Sequence, residues 1–522
     1  MNMAFFKRNR QWILCNIILL ICFIAGFGRF GDVMVDSFRE AYIPTQMLEG
    51  ERLYKDIFVI YPPLEYLINA FLFFIFGTKL RVLYFAGFAA ALGIINLTFK
   101  LASEFMHKNH ALAVTLFVIF AAAISPNVFN IYFPYSFGIL YGVLFILGSI
   151  YCVLKKEFAW AYFFCSLALC SKYEFILFLP VLMFMSGKRG WLKNLAAFFT
   201  PIILTLGILF VLGVTFESIL TSAKWMVAMS SAKTLYWFYS VSGLVFRPQL
   251  IPIYLVNFLK YFVPLLVVCY FRNIWVITLT IVYLWFFVNP EILIYAFPLI
   301  LVMYGLQFRK LSTRKRFFIA VSLLISIKIF FALTLQSYGI YFLPFALISI
   351  YILTPVKYKK ALYILILSSA LIIGIKNSTA LNSKNFKLET PIGKIYTTPY
   401  YGEGLDNTIK YLRNNSEKTD RVLVLPEGLV VNILADRKSD SKFYSLIPLY
   451  AETFGDELIE KRLDYVKPEY IVITNYDTSN YYYSRFGGDY TEAVYEYILK
   501  NYDLVKTFGD KFTLNIFKIK KH

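Results

Sequence analysis

Seven carboxylates crowd into one stretch of this chain: Asp32, Asp36, Glu40, Glu49, Glu51, Asp56 and Glu65. A carboxylate at a reaction centre can take the proton of an incoming hydroxyl, which is general-base work. Asp36 is the best placed for that role. It follows an apolar run ending near residue 30 and has Arg39 and Glu40 beside it. For Glu49, Glu51 and Glu65 the plainer reading is a polar loop that carries acids because loops do. Asp32 lies four residues before Asp36, which puts both on one face if the stretch is helical. With no tighter acidic pair, the pattern requires no cofactor and leaves a divalent metal as an option only. The cations that could grip a phosphate are Lys172 and Arg247, with Arg offering a planar fork. Both could equally reach toward lipid headgroups. Three His (His107, His110, His522) leave little room for imidazole chemistry, and all six Cys lie in apolar stretches, so no disulfide framework is expected.

The elements that must position these groups follow from composition. Of 522 residues, 59% are hydrophobic and 16% charged. The mean hydropathy is +0.62. A soluble globular domain carries about 25% charged residues, so the expectation is a polytopic α-helical membrane protein. Apolar runs at residues 12–30 and centred near 92, 118, 144, 164, 181, 203, 260, 281, 299, 325, 346 and 368 predict about 13 spanning helices. Residues 1–376 hold 32 Lys and Arg against 12 Asp and Glu, whereas residues 377–522 hold 20 of each. The net charge of +20 is therefore a membrane-topology signal, not a nucleic-acid footprint. Basic clusters on alternate loops place the N-terminus in the cytoplasm. An odd helix number then sends residues 377–522 outside, into the extracytoplasmic space beyond a plasma or inner membrane. That tail mixes strand patterns (421–425, 470–474, 511–519) with helical spacing (405–412, 452–463, 491–499), which predicts a soluble α/β domain. Residues 31–79 form the first external loop. Within it, Pro62-Pro63 should open a helix over 64–76, too short to span.

The loop's motifs resemble a known family. Asp36-Ser-Phe-Arg-Glu-Ala-Tyr42, then Leu48-Glu-Gly50, Leu53-Tyr-Lys-Asp56, Tyr61-Pro-Pro-Leu-Glu-Tyr66 and Phe76-Gly77 are similar to the first external loop of the C-type (GT-C) glycosyltransferases. The likeness is to the protein O-mannosyltransferase and lipid A aminoarabinose transferase branches. Ser171-Lys172-Tyr-Glu174 also resembles a Thr-Lys motif found in many of them. The resemblance implies an inverting enzyme that takes a sugar from a polyprenyl-phosphate carrier on the outer leaflet, with Asp36 at the reaction centre. The candidate substrate contacts are Asp32, Arg39, Glu40, Asp56, Tyr61, Lys172, Glu174, Arg247 and Tyr338. This chain departs in three places. Ser37 replaces a frequent second acid, Tyr61 replaces a frequent Lys, and Gln336-Ser-Tyr338 stands where many relatives carry His-Tyr.

The leading expectation is a glycosyltransferase that moves a sugar from a polyprenyl-phosphate donor to a hydroxyl on a glycan, lipid or protein acceptor, among membrane lipid and without nucleic acid. A transporter or flippase of lipid-linked saccharides is the first alternative. It should show acids at mid-bilayer depth and inverted repeats, and neither is visible. A non-catalytic scaffold is the second.

Overall fold

A computed structural model describes residues 3–34, 36–188, 190–229, 251–271, 273–288, 297–327 and 337–521. The chain divides into two compact units. One comprises Met1–Phe30, Gly87–Thr205 and Ser240–Leu381; the other comprises Gly31–Ala86, Leu206–Tyr239 and Asn382–His522.

The first unit is helical. Among the described residues its apolar runs lie on helices, including Phe137–Leu154, Phe158–Ser171, Trp191–Val211, Ile251–Phe271, Ile274–Phe287, Phe297–Gln307, Thr313–Ile325, Leu343–Leu353 and Lys359–Asn382. Side-chain caps set several starts: Ser136 accepts from the Gly138 amide and Asn273 from the Trp275 amide. Among the described residues of the whole chain, five helices are long and apolar enough to cross a membrane. They are Asn9–Gly26, Leu80–Phe105, Phe137–Leu154, Trp191–Val211 and Val356–Asn382. Several other apolar helices are shorter, for example Phe158–Ser171 and Ile274–Phe287. Large apolar side chains, including Phe184, Val211 and Leu306, lie exposed on the outside. An apolar exterior of that extent is costly in water and natural against lipid.

The second unit holds the polar tail together with two earlier stretches. Strands β1 (Phe386–Thr390) and β2 (Gly393–Thr397) form an antiparallel hairpin. A separate four-stranded sheet runs β3–β4–β6–β5, with β3 Val422–Leu425, β4 Tyr470–Thr474, β5 Tyr502–Phe508 and β6 Leu514–Ile519. Strands β3 and β4 pair in parallel, Val422 opposite Tyr470, and are buried throughout. That burial explains their unbroken apolar sequences. The edge strand β5 is mostly exposed and carries Asp503 and Lys506. Helices Pro399–Asn415, Leu429–Ala435, Pro448–Phe454, Asp456–Val466 and Glu492–Asn501 accompany the sheet.

Several local readings need correction. The helix expected over 452–463 is two helices, because Gly455 adopts φ 77 between them, a conformation that only glycine takes without strain. Phe216–Ala228 is a further helix, starting on a Thr215 cap that accepts from the Ser218 amide. Asp32 and Asp36 are not helical, so the two acids do not share a helical face; the helix begins at Arg39. The helix Leu64–Phe76 begins and ends where expected, with Pro63 before it and Gly77 after it.

The core of this unit takes residues from all three of its chain segments. Phe58 from the first loop and Met229 from the middle segment pack among Leu425, Phe443, Tyr450, Phe454 and Ile473 of the tail. The Phe58 ring stands edge-on to Tyr450 and Phe454, with centroids 5.5 and 4.9 Å away. Its backbone is tied as well: the Phe58 amide donates to the Ser441 carbonyl at 3.2 Å, and the Tyr444 hydroxyl donates to the Phe58 carbonyl at 3.2 Å.

Candidate active site

The acid-rich loop is folded by its own side chains. The Asp32 carboxylate accepts from the Met34 amide at 2.8 Å, and the Ser37 hydroxyl accepts from the Asp32 amide at 3.1 Å. Ser37 is thus fully buried and occupied in shaping the turn. Asp36 adopts φ 54, the left-handed region that Asp and Asn enter more readily than most residues. Its carbonyl then accepts from the Arg39 amide at 2.9 Å, and the helix Arg39–Leu48 starts there. Glu40 sits in that helix's first turn, where the peptide dipoles favour negative charge.

Arg39 is the hub. The residue is 5% exposed, and it donates to Asp36 Oδ1 at 2.6 Å and to Glu40 Oε1 at 3.4 Å. Its guanidinium lies 5.0 Å from the centroid of the Tyr61 ring. Burial works against the cation, but Asp36, Tyr61, Tyr66 and Glu40 outweigh it and hold Arg39 well above its ordinary pKa. Glu40 is fully buried, whereas the Asp36 side chain keeps 30% of its surface open. Of this trio, Asp36 is therefore the carboxylate that an incoming molecule can reach.

A third carboxyl comes from the tail. Glu427 follows the buried strand β3, and its Oε1 accepts from the Asp36 amide at 3.4 Å across 391 residues of sequence. Burial, then the Asp36 charge, push the Glu427 carboxyl up to about 8, although Arg39 and the Asp36 amide pull the other way. Gly428 permits the approach: a Cβ there would stand 2.6 Å from Val424 Cγ1 and 3.4 Å from Met34 Cε. Tyrosines complete the surroundings. Tyr444, Tyr476 and Tyr481 are each raised by burial first, and each also feels the Glu427 and Asp36 charges. Lys384 donates to the Gly31 carbonyl at 2.6 Å; burial lowers it to about 8, against the pull of Asp32.

The remaining candidates fall elsewhere. Asp56 binds Arg52 on its own loop, at 2.8 Å from Nε and 3.0 Å from the backbone amide, so its carboxylate is engaged in loop geometry. Lys172, Glu174 and Tyr338 come together in the helical unit. Lys172, 8% exposed, donates to the Tyr135 hydroxyl at 3.1 Å, and the Tyr338 hydroxyl donates to Glu174 at 2.5 Å. The Tyr135 and Tyr338 rings join the two pairs, with centroids 5.8 Å apart. Arg247 lies outside the described residues. Among the described residues, no three His, Cys, Asp or Glu stand together as a metal-binding set.

Sequence reasoning missed Glu427, Tyr444, Tyr476 and Lys384. One signal was available for Glu427: ligand sites of α/β sheets lie beyond the carboxyl ends of strands, and Leu425-Pro-Glu-Gly428 is such an end. Tyr481 belongs to the Tyr481-Tyr-Tyr483 run, which pattern alone could not separate from ordinary surface.

No family model matches the chain, and no curated protein matches it either. Solved structures do resemble it. ArnT from Cupriavidus metallidurans, bound to undecaprenyl phosphate, is 10% identical with a TM-score of 0.42, covering 97% of this chain and 98% of its own. The archaeal oligosaccharyltransferase AglB from Archaeoglobus fulgidus, solved with an inhibitory peptide and a dolichol-phosphate, is 9% identical with a TM-score of 0.49, covering 90% of this chain and 70% of its own. The apo oligosaccharyltransferase of the same organism gives 10% identity and a TM-score of 0.48 at the same coverage. At that distance the residues of the site, and not the neighbours, have to carry the function.

Proposed function

We propose that this chain is a multi-pass membrane glycosyltransferase that moves a sugar from a polyprenyl-phosphate donor to an acceptor hydroxyl. The observation that carries the reading is the Asp36 centre: a carboxylate open on one side, gripped on the other by a buried Arg39, with a second carboxyl, Glu427, against its backbone. The first-loop motifs favour the same reading, since they resemble those of GT-C enzymes. In this reading the acceptor oxygen attacks the sugar's anomeric carbon, the bond to phosphate breaks on the opposite face, and Asp36 receives the acceptor's proton. Arg39 fixes the direction in which Asp36 presents its free oxygen. Lys172 and Arg247 are assigned to the phosphate, and about 13 spans with an extracytoplasmic tail remain the proposed topology.

The test is turnover of polyprenyl-phosphate sugars by purified wild type and Asp36→Asn. Asn tolerates the left-handed backbone at this position, so the variant removes the base without straining the turn. Wild type should release polyprenyl phosphate, while Asp36→Asn binds donor and turns it over about 10²–10⁴ times more slowly. If wild type binds no such donor, a transporter or scaffold takes the reading's place.

A further inference from the structure

We propose that Glu427 is a second catalytic residue, the acid that gives its proton to the departing phosphate while Asp36 takes one from the incoming hydroxyl. This rests on the transferase reading above. The geometry supplies the first argument. Glu427 Oε1 meets the Asp36 amide at 3.4 Å, so the two carboxyl groups hang from neighbouring points of one scaffold. Strand β3, buried along its whole length, holds the Glu427 end rigid.

The charges facing Glu427 supply the second argument. From the first loop come Asp32, Asp36 and Arg39; from the tail come the hydroxyls of Tyr444, Tyr476, Tyr481 and Tyr490. Asp32 and Asp36 oppose a Glu427 anion. Arg39 favours it, but that guanidinium is already shared between Asp36 and Glu40. Burial adds to this and pushes Glu427 up to about 8, which favours its protonated form. A carboxyl that keeps its proton beside a carboxylate paired with an arginine is the usual pattern of an acid and a base in one site.

The step balances. The acceptor oxygen forms a bond to the anomeric carbon, and the carbon–oxygen bond to phosphate breaks with its electron pair going to phosphate. The acceptor's proton moves to Asp36, and the Glu427 proton moves to the phosphate oxygen. Asp36 is then protonated and Glu427 ionised. Both keep some contact with solvent, so proton exchange with water restores the starting state. The net result is one proton carried from acceptor to released polyprenyl phosphate.

Glu427→Gln in the full chain tests this, because Gln preserves both shape and the contact to the Asp36 amide. Release of polyprenyl phosphate should fall at least about hundredfold, with donor binding retained. The wild-type loss of kcat/KM above about pH 8 should vanish from the residual activity. Glu427→Asp should restore part of the rate together with an alkaline limb. Infrared difference spectra give a readout independent of turnover: a protonated carboxyl band at pH 7 that fades near pH 8 and is missing in Glu427→Gln. If that variant fails to fold, Asp36→Asn decides, since removing the neighbouring charge should move the band's titration to lower pH. An unchanged rate and alkaline limb in Glu427→Gln, or no such band in wild type, overturns the acid role alone. A wild type that releases no polyprenyl phosphate overturns the transferase reading and the acid role with it.

Discussion

Replacing Arg39 with Leu should destabilise the second unit more than almost any other change in it. Three attachments of the guanidinium are of unequal worth. Asp36 is 30% exposed, so that ion pair contributes about 0–1 kcal/mol. The contact with the Tyr61 ring contributes about 0.5–2 kcal/mol. Glu40 decides the outcome. It is 0% exposed, and stripping a buried anion of its cation costs about 3–5 kcal/mol. At about 2–4 °C per kcal/mol for a unit of this size, melting should drop by about 10 °C or more. Thermal unfolding of the detergent-solubilised protein, followed by intrinsic fluorescence at one fixed scan rate, measures this. Glu40→Gln added to Arg39→Leu should recover most of the loss, because it removes the buried charge that Arg39 faces. The reasoning fails if Arg39→Leu melts within about 2 °C of wild type. It fails equally if the double variant is no better than the single one.

Two further outcomes follow from the same unit. Glu427 holds a proton in the folded state between its ordinary carboxyl range and about 8. The folded state therefore binds more protons than the unfolded one there, and stability should fall as pH rises from 5 to 8, then level off. Melting curves from pH 5 to 9 should show that slope in wild type and a flatter one in Glu427→Gln. Asp440, 1% exposed, receives a two-point grip from Arg462 at 2.7 and 3.1 Å. Arg462→Ala should cost about 3–5 kcal/mol, and Arg462→Lys should fail to restore it because the planar fork is lost. A melting point unchanged in Arg462→Ala would remove Asp440 from the list of buried charges that matter.

The helices were legible because each apolar run is its own signal: the runs centred near 92, 144 and 203 lie on Leu80–Phe105, Phe137–Leu154 and Trp191–Val211. Buried β3 and β4 were legible for the same reason. The hairpin β1–β2 was not, since its strands are half exposed and carry no clean alternation. Strand β5 follows directly on a helix ending at Asn501, with no breaker residue between them. At the candidate site, Asp36, Arg39 and Glu40 could be picked out because acids are scarce in the apolar part of the chain. Glu427 could not, because the tail has acids in plenty and only the fold selects one of them. The left-handed turn at Asp36 was also hidden: four-residue spacing from Asp32 suits a helix as well as it suits the turn that forms.

The way the second unit is assembled also bears on how the protein is made. Phe58 and Asp36 emerge from the ribosome early, Met229 midway, and their partners Tyr450 and Glu427 late. At about 5–20 residues per second, the 391 residues between Asp36 and Glu427 take about 20–80 s to synthesise. Throughout that interval the loop lacks the core it packs into. A chain interrupted before residue 427 would carry Asp36 and Arg39 yet never close the centre around them. Incomplete translation products should therefore be inert, and an excised tail should lack the aromatic plug that Phe58 supplies to its core.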